Sequence, residues 1–202
     1  MTYTVVIASY KYGHLASHCI ETVLSQTKKF DKILFVDDGV GDCNHLPKMY
    51  PDIEYTFREE NMGTAKNFQD MLLKVSTDRC MFLGADNWLR SDTLEILSKF
   101  DTDIVTYDII VTGELKNDIH QNYSKHMTDY YGDYKWDRQY QHHGSMMYNT
   151  KLAQSCGYEH RGHHSNEDMV LWEKMNRKGA TISYINEGLL FYRRHKENFN
   201  KY

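Results

Sequence analysis

The sequence predicts an α/β fold with a mostly parallel central sheet flanked by helices, and three observations predict it. Short apolar runs at residues 2–8, 32–36, 53–57 and 79–83 alternate with stretches of helical periodicity. The run Lys32-Ile33-Leu34-Phe35-Val36 shows little polar alternation, as expected of a strand covered on both faces. Three of the runs end in polar groups: Ser9-Tyr10, Asp37-Asp38-Gly39 and Gly84-Ala85-Asp86-Asn87. Repeated βαβ units favour a parallel sheet, which binds ligands at the C-terminal ends of its strands.

The elements follow in order. Residues 2–8 form a strand that breaks at Ser9-Tyr10-Lys11-Tyr12-Gly13, after which Leu15, Cys19, Ile20, Val23 and Leu24 recur at helical spacing. Residues 64–75 read as a helix with Phe68, Met71, Leu72 and Val75 inward, and a shorter helix over 92–100 precedes a strand at 103–111. The style then changes. Residues 113–142 are polar and aromatic without a clear period, and a long irregular stretch suits a lid or binding loop. Regularity returns with a strand at 145–148 and a helix starting near Asn166. A hairpin-like pair, 181–185 and 189–192, is expected around Asn186-Glu187-Gly188.

At 202 residues the chain has the size of one domain. Its 41% hydrophobic and 26% charged content excludes wholesale disorder. A net charge of −4 provides no broad cationic field for duplex nucleic acid. The apolar runs fall far short of the roughly 20 residues of a membrane helix, and the N-terminus lacks a basic-then-apolar leader, so a soluble, cytoplasmic chain is expected. Cysteines 19, 43, 80 and 156 form no CxxC pair and read as reduced and packed. The composition is also rich in tyrosine (16) and histidine (11), which suit a wet cleft or an ordinary surface equally well.

Several residues have the chemistry of a site. Asp37-Asp38-Gly39 fits a turn, but a carboxylate at a strand end also accepts hydrogen bonds from a base N–H or a ribose hydroxyl, and Tyr10 offers a stacking face. Asp86, where a buried strand meets the loop, needs a partner, and Mg²⁺ bridging phosphate oxygens is one; a turn or cap role for Asp86 or Asn87 is the other reading. Asn166 suits an N-cap, placing Glu167 and Asp168 in the first helical turn. There they complement the helix dipole, and an ionised carboxylate can also accept a proton. The groups His142-His143 and His160/His163/His164 lack cysteine partners and have poor zinc spacing. Arg193, Arg194 and Lys196 around His195 face phosphate or simply solvent.

Taken together, the order of these pieces is specific. Val5-Val6-Ile7-Ala8-Ser9-Tyr10, Cys19-Ile20-Glu21-Thr22-Val23-Leu24-Ser25-Gln26-Thr27, Val36-Asp37-Asp38-Gly39 and Glu60-Asn61-Met62-Gly63 with Lys66-Asn67 come first. Phe82-Leu83-Gly84-Ala85-Asp86-Asn87, Glu167-Asp168 with Leu171-Trp172, and Tyr192-Arg193-Arg194-His195 follow. Over nearly the whole chain the sequence resembles a family 2 glycosyltransferase of the GT-A fold, with a Rossmann-like N-terminal half. The resemblance implies one catalytic domain over 1–202, with residues 1–100 as the nucleotide-sugar half and 101–202 as the acceptor half. It implies inverting transfer from a nucleotide-sugar, UDP-linked above all, to a hydroxyl of a glycan or other acceptor.

By the same resemblance, Ala8, Ser9, Tyr10, Asp38, Lys66, Ala85, Asp86, Asn87 and Arg193 would bind the donor. Asp86 matches the last acid of the family's Asp-x-Asp motif and, with His195, would hold Mn²⁺ or Mg²⁺ on the diphosphate. Asp168 matches the catalytic base, with Glu167 beside it on the acceptor, and Trp136, His143 and Trp172 would shape the acceptor side. Gly84 stands where the family's first acid would be, which removes a carboxylate from the metal. Three other classes remain open: a non-catalytic nucleotide- or glycan-binding module of the same fold; a sugar nucleotidyltransferase, for which Ser9-Tyr10-Lys11-Tyr12-Gly13 is poor in glycine; and a His-based zinc protein.

Overall fold

The computed structural model describes residues 1–137, 142–160 and 167–198, the side chain of His143 excepted. The chain begins β1 (Tyr3–Ser9), α1 (Gly13–Leu24), β2 (Lys32–Asp37), a single-turn α2 (Leu46–Met49), β3 (Glu54–Phe57), α3 (Thr64–Lys74) and β4 (Arg79–Gly84). Then come β5 (Trp88–Leu89), α4 (Thr93–Leu97), β6 (Ile104–Thr112), α5 (Lys116–Tyr123), β7 (Met127–Tyr130) and β8 (Asp133–Trp136). The last elements are β9 (Met146–Asn149), α6 (Thr150–Cys156), α7 (Glu167–Arg177) and β10 (Ile182–Arg193).

Alternate side chains of β1 enter two different cores. Tyr3, Val5 and Ile7 pack with Cys19, Ile20 and Val23 of α1, whereas Val6 packs with Phe68, Met71 and Leu72 of α3. Successive residues of a strand point to opposite faces, so two helix-covered faces require the unbroken apolar run seen in the sequence.

One sheet runs through the molecule in the order β3-β2-β1-β4-β9-β6-β10-β5. It is parallel from β3 to β4 and again between β6 and β10, and antiparallel where β9 joins β4 to β6. The expected mostly parallel sheet is therefore parallel in its N-terminal half and mixed beyond it. The β9 strand pairs with β4 only at Arg79 and Cys80, and with β6 only over Ile104–Thr106. The C-terminal ends of β1, β2 and β4 consequently stand clear of β9, and the cleft opens there. Among the described residues no helix is long and apolar enough to cross a membrane.

Two expectations are corrected. Ile182–Arg193 make one strand rather than a hairpin, because β10 follows β6 along its length and absorbs Asn186 and Glu187 as a bulge between Ile185 and Gly188. Gly188 is needed there: a Cβ would stand 2.2 Å from Ile110 Cδ1. Residues 113–142 are also more regular than expected. They hold α5 and the β7–β8 hairpin, whose two-residue tip, Tyr131 (φ 48°) and Gly132 (φ 87°), has the positive φ values of a type I′ turn. Trp136 on β8 is 4% exposed, with its ring 4.8 Å from that of Tyr123. It is a core residue beneath the sheet edge rather than an acceptor platform.

One charge is buried in this region. Asp108 of β6 is 0% exposed; it accepts from the Tyr184 hydroxyl and faces Lys135 Nζ at 3.3 Å, while Lys135 also donates to Asn186 Oδ1 at 2.7 Å. Burial raises its carboxyl above the ordinary 3.8, with Tyr184 and Lys135 opposing the rise. The folded protein thus holds this proton more tightly than the unfolded chain, and stability contributed by the group is lost as pH rises above that ordinary value. Asp108→Asn should therefore gain stability relative to the wild type between about pH 3.5 and about pH 7.5. Urea titrations at the two pH values check this, and a pH-independent difference contradicts it.

Candidate active site

Parallel registry sets the floor of the cleft. Ala8 lies beside Val36 and Gly84, and Ser9 lies beside Asp37, so three strands end level with one another. A cavity of about 270 Å³ opens over these ends. Its floor carries Ala8, Ser9, Asp38, Gly84, Asp86 and Asn87; its sides carry Tyr10, Tyr12 and the start of α3; and Glu167 and Asp168 of α7 face in with His142, His160 and Tyr192.

The adjacent aspartates at the end of β2, Asp37 within it and Asp38 just beyond it, divide their work. Asp37 closes the turn, with its two carboxylate oxygens accepting from Val40 N (3.0 Å) and Gly41 N (2.9 Å). Asp38 lines the cavity, 4% exposed; its Oδ1 accepts from Met62 N at 3.0 Å and lies 3.7 Å from Arg58 Nε. Arg58 Nε donates to Asn67 Oδ1 (2.8 Å), and Arg58 NH2 donates to Asp70 Oδ2 (2.7 Å). A nearly buried guanidinium thus holds Asp38 of the loop after β2 and Asn67 of α3 in one geometry, and its hydrogen bonds pull the Asp70 carboxyl below its ordinary range. Sequence reasoning missed both Arg58 and Asn67. No local pattern marks an arginine whose partners lie in two separate segments, the loop after β2 and α3.

Asp86 occupies the far side of the floor, 5% exposed. Its Oδ2 lies 3.3 Å from His195 Nε2 and accepts from Asn198 Nδ2 at 3.0 Å, whereas no described residue hydrogen-bonds Oδ1. Asn87 Oδ1 accepts from the backbone N–H of Arg193 at 3.0 Å. The Arg193 side chain donates to the Asp86 carbonyl (3.1 Å) and lies 4.8 Å over the Trp88 ring. Trp88 in turn stacks on Phe191 across the β5–β10 pair. The end of β10 is therefore fastened to the loop after β4, which carries His195 and Asn198 to Asp86.

Opposite, α7 begins with Glu167 and Asp168. The Asp168 carboxylate accepts from Met169 N at 2.8 Å, and Glu167 Oε2 is 3.9 Å from His160 Nδ1. His142 Nδ1 accepts from Gly144 N, and its ring meets Tyr192 edge-on at 5.0 Å. Asn166, His163 and His164 lie outside the described residues, as does the side chain of His143.

Of the residues expected at the site, the cavity gathers Ala8, Ser9, Tyr10, Asp38, Asp86, Asn87, Glu167 and Asp168. His195 reaches it through Asp86, and its ring lies 5.5 Å from that of Tyr12. Besides Trp136 in the core, four others sit elsewhere. Lys66 is exposed outside the cavity, the Ala85 side chain is wholly buried in the core, and Trp172 packs half-buried beside Leu171 and Met175. Arg193 lines a second, more open depression with His14, Glu114, His195 and Lys196 rather than the cleft. The reason is common to all four: sequence proximity to a motif does not say on which side of its backbone a side chain projects.

Asp86 and His195 suit a divalent cation, since one carboxylate oxygen and one imidazole nitrogen leave further positions for phosphate and water. A second cluster, Asp37, Asp42 and Cys43, has ligand atoms within 4.8 Å of one another. Its donors are committed to the fold. Asp37 accepts backbone N–H groups, Asp42 Oδ2 accepts from Gly13 N at 2.9 Å, and burial pushes the Cys43 thiol up to about 12, leaving it neutral.

A sequence model described as Glycosyl transferase family 2 matches residues 4–161. The chain belongs to this family. It is 28% identical over 101 residues to "Glycosyltransferase GlyA" of Streptococcus pneumoniae serotype 4, a match spanning 48% of this chain and 14% of that relative. Among solved structures, S. aureus TarS 1–349 is similar over 96% of this chain and 60% of that one, with a TM-score of 0.71 and 13% identity. TarS 1–349 in complex with UDP-GlcNAc covers 98% of this chain and 60% of that one, with a TM-score of 0.72 and 12% identity. These likenesses establish the α/β fold of the GT-A glycosyltransferases. The chain spans 60% of the solved TarS chains and 14% of the curated relative.

The loop carrying Asp38 depends on one glycine. Gly39 has φ 82°, and a Cβ there would lie 2.3 Å from the Glu60 carbonyl carbon. Gly39→Ala in family 2 chains of this geometry must strain the backbone and separate Asp38 from Met62. The expected loss is about 1–3 kcal/mol of stability, measured by urea unfolding; an unchanged midpoint contradicts this packing.

Proposed function

We propose that this chain is an inverting glycosyltransferase that moves a sugar from a nucleotide-sugar, UDP-linked in the first instance, to a hydroxyl of a glycan acceptor. The observation that carries the reading is the meeting of Asp38, Asp86 and Asp168 in one cavity of a family 2 chain. The choice of UDP rests on the solved TarS complexes with UDP and UDP-GlcNAc.

Asp38, held by Arg58 and Met62 N, accepts hydrogen bonds from the base or ribose, and Tyr10 offers its ring to the base. Asp86 and His195 would hold Mn²⁺ or Mg²⁺, which when bound offsets charge on the departing diphosphate. Asp168 receives the proton of the acceptor hydroxyl as its oxygen bonds to the anomeric carbon. The bond from that carbon to the diphosphate breaks on the opposite face, and its electron pair leaves with the diphosphate. Glu167 and His160 border the position from which such an acceptor would approach.

General-base assistance is worth roughly 10² to 10⁴ in rate. Asp168→Asn should lower kcat by about that factor while UDP affinity, read by calorimetry, stays as in the wild type. Assays of free UDP release from UDP-sugars with Mn²⁺ and a glycan acceptor provide the measurement. Transfer by the variant at the wild-type rate overturns the base assignment, and a wild-type chain that binds UDP-sugars without releasing UDP supports a binding module instead.

A further inference from the structure

The loop between β4 and β5 explains how one acid can serve where two are expected. Gly84 is not in the left-handed region, so its backbone does not call for glycine. Space does. A Cβ at position 84 would stand 2.7 Å from Asp86 Oδ1 and 2.8 Å from Asn87 Nδ2. Both side chains fold back over the bare Cα of Gly84, within a turn closed by Asn87 N donating to Gly84 O at 3.0 Å.

Asn198 holds the same carboxylate from the other side. It is 6% exposed and faces the cavity. Its Oδ1 accepts from the backbone N–H of His195 at 2.7 Å, and its Nδ2 donates to Asp86 Oδ2 at 3.0 Å. An amide oxygen can only accept and an amide nitrogen only donate, so these two bonds fix the orientation of the side chain. The amide therefore ties the histidine backbone to the aspartate. It occupies one carboxylate oxygen and leaves Oδ1 to a ligand.

We propose that Gly84 and Asn198 are positioning residues that make Asp86 and His195 a single-carboxylate cation site, Gly84 by leaving room for Asp86 Oδ1 and Asn198 by restraining Oδ2. This rests on the reading of a cation-assisted UDP site. Restoring an acid at position 84 displaces Asp86 rather than adding a ligand, and so weakens cation binding.

The test is Mn²⁺ affinity of the protein–UDP complex, followed by the electron paramagnetic resonance of free Mn²⁺, for the wild type, Gly84→Ala, Gly84→Asp and Asn198→Ala. Each variant should bind Mn²⁺ about tenfold or more weakly, the usual effect of losing an outer support of a metal ligand. In every variant the loss of Mn²⁺ affinity should exceed any change in metal-free UDP affinity; the metal-free melting temperature should hold in Gly84→Ala, where the atoms displaced are ends of side chains, and fall in Asn198→Ala, which loses two buried hydrogen bonds. Wild-type Mn²⁺ affinity in Asn198→Ala, or equal or tighter affinity in Gly84→Asp, overturns the proposal. So does a loss of melting temperature and metal-free UDP affinity in parallel with Mn²⁺, which marks a purely structural role. If the wild type itself binds no UDP, with or without Mn²⁺, the donor reading falls and takes this one with it; wild-type UDP and Mn²⁺ binding with unaffected variants overturns this proposal alone.

Discussion

The parallel pairing of β1 with both β2 and β4 is the constraint on which the remaining structure depends. A central parallel strand must be covered on both faces, so β1 divides its side chains between the α1 core and the α3 core and is buried from Tyr3 to Ile7. Because parallel strands run in the same sense, Ala8, Val36 and Gly84 finish side by side. Polar groups that would each be an ordinary strand-end residue become neighbours, and no helix or loop has to be invented to bring them together.

That arrangement creates a problem of buried charge. Asp38 and Asp86 are each about one-twentieth exposed, and a carboxylate removed from water needs partners. The fold solves the two cases differently. Asp38 is met by a backbone N–H and a nearby guanidinium from the segment after β3, whereas Asp86 waits for the far end of the chain, where β10 brings in His195 and Asn198. The Arg193 side chain serves this return by gripping the Asp86 carbonyl and the Trp88 face. An arginine that the sequence offered to phosphate is a fastening between the first and last parts of the sheet.

The second half of the molecule follows a different logic. One edge of β6 is shared by β9 and β8 and the other is taken by β10, so a single long strand organises the mixed sheet. Its residues read poorly because the hairpin β7–β8 is half polar and turns at Tyr131-Gly132 rather than at an asparagine-glycine pair. Asn186-Glu187-Gly188 misleads in the opposite direction. Turn residues become a bulge when a neighbouring strand continues past them.

The sequence by itself determined the alternation of strands and helices in the first hundred residues, the polar strand ends at Ser9, Asp38 and Asp86, and the acidic opening of α7. These are local: a strand, a helix or a turn is written in the period and the punctuation of a few neighbouring residues. Only the tertiary structure decided that Asp38 faces the cavity while Asp37 closes a turn. It also put Trp136 in the core, left Lys66 outside the cleft, and brought Arg58, Asn67 and Asn198 to the carboxylates. Each of those outcomes depends on which face of a strand or helix a side chain takes and on what another segment, up to 112 positions away, places against it. Such distances leave no local trace in the sequence.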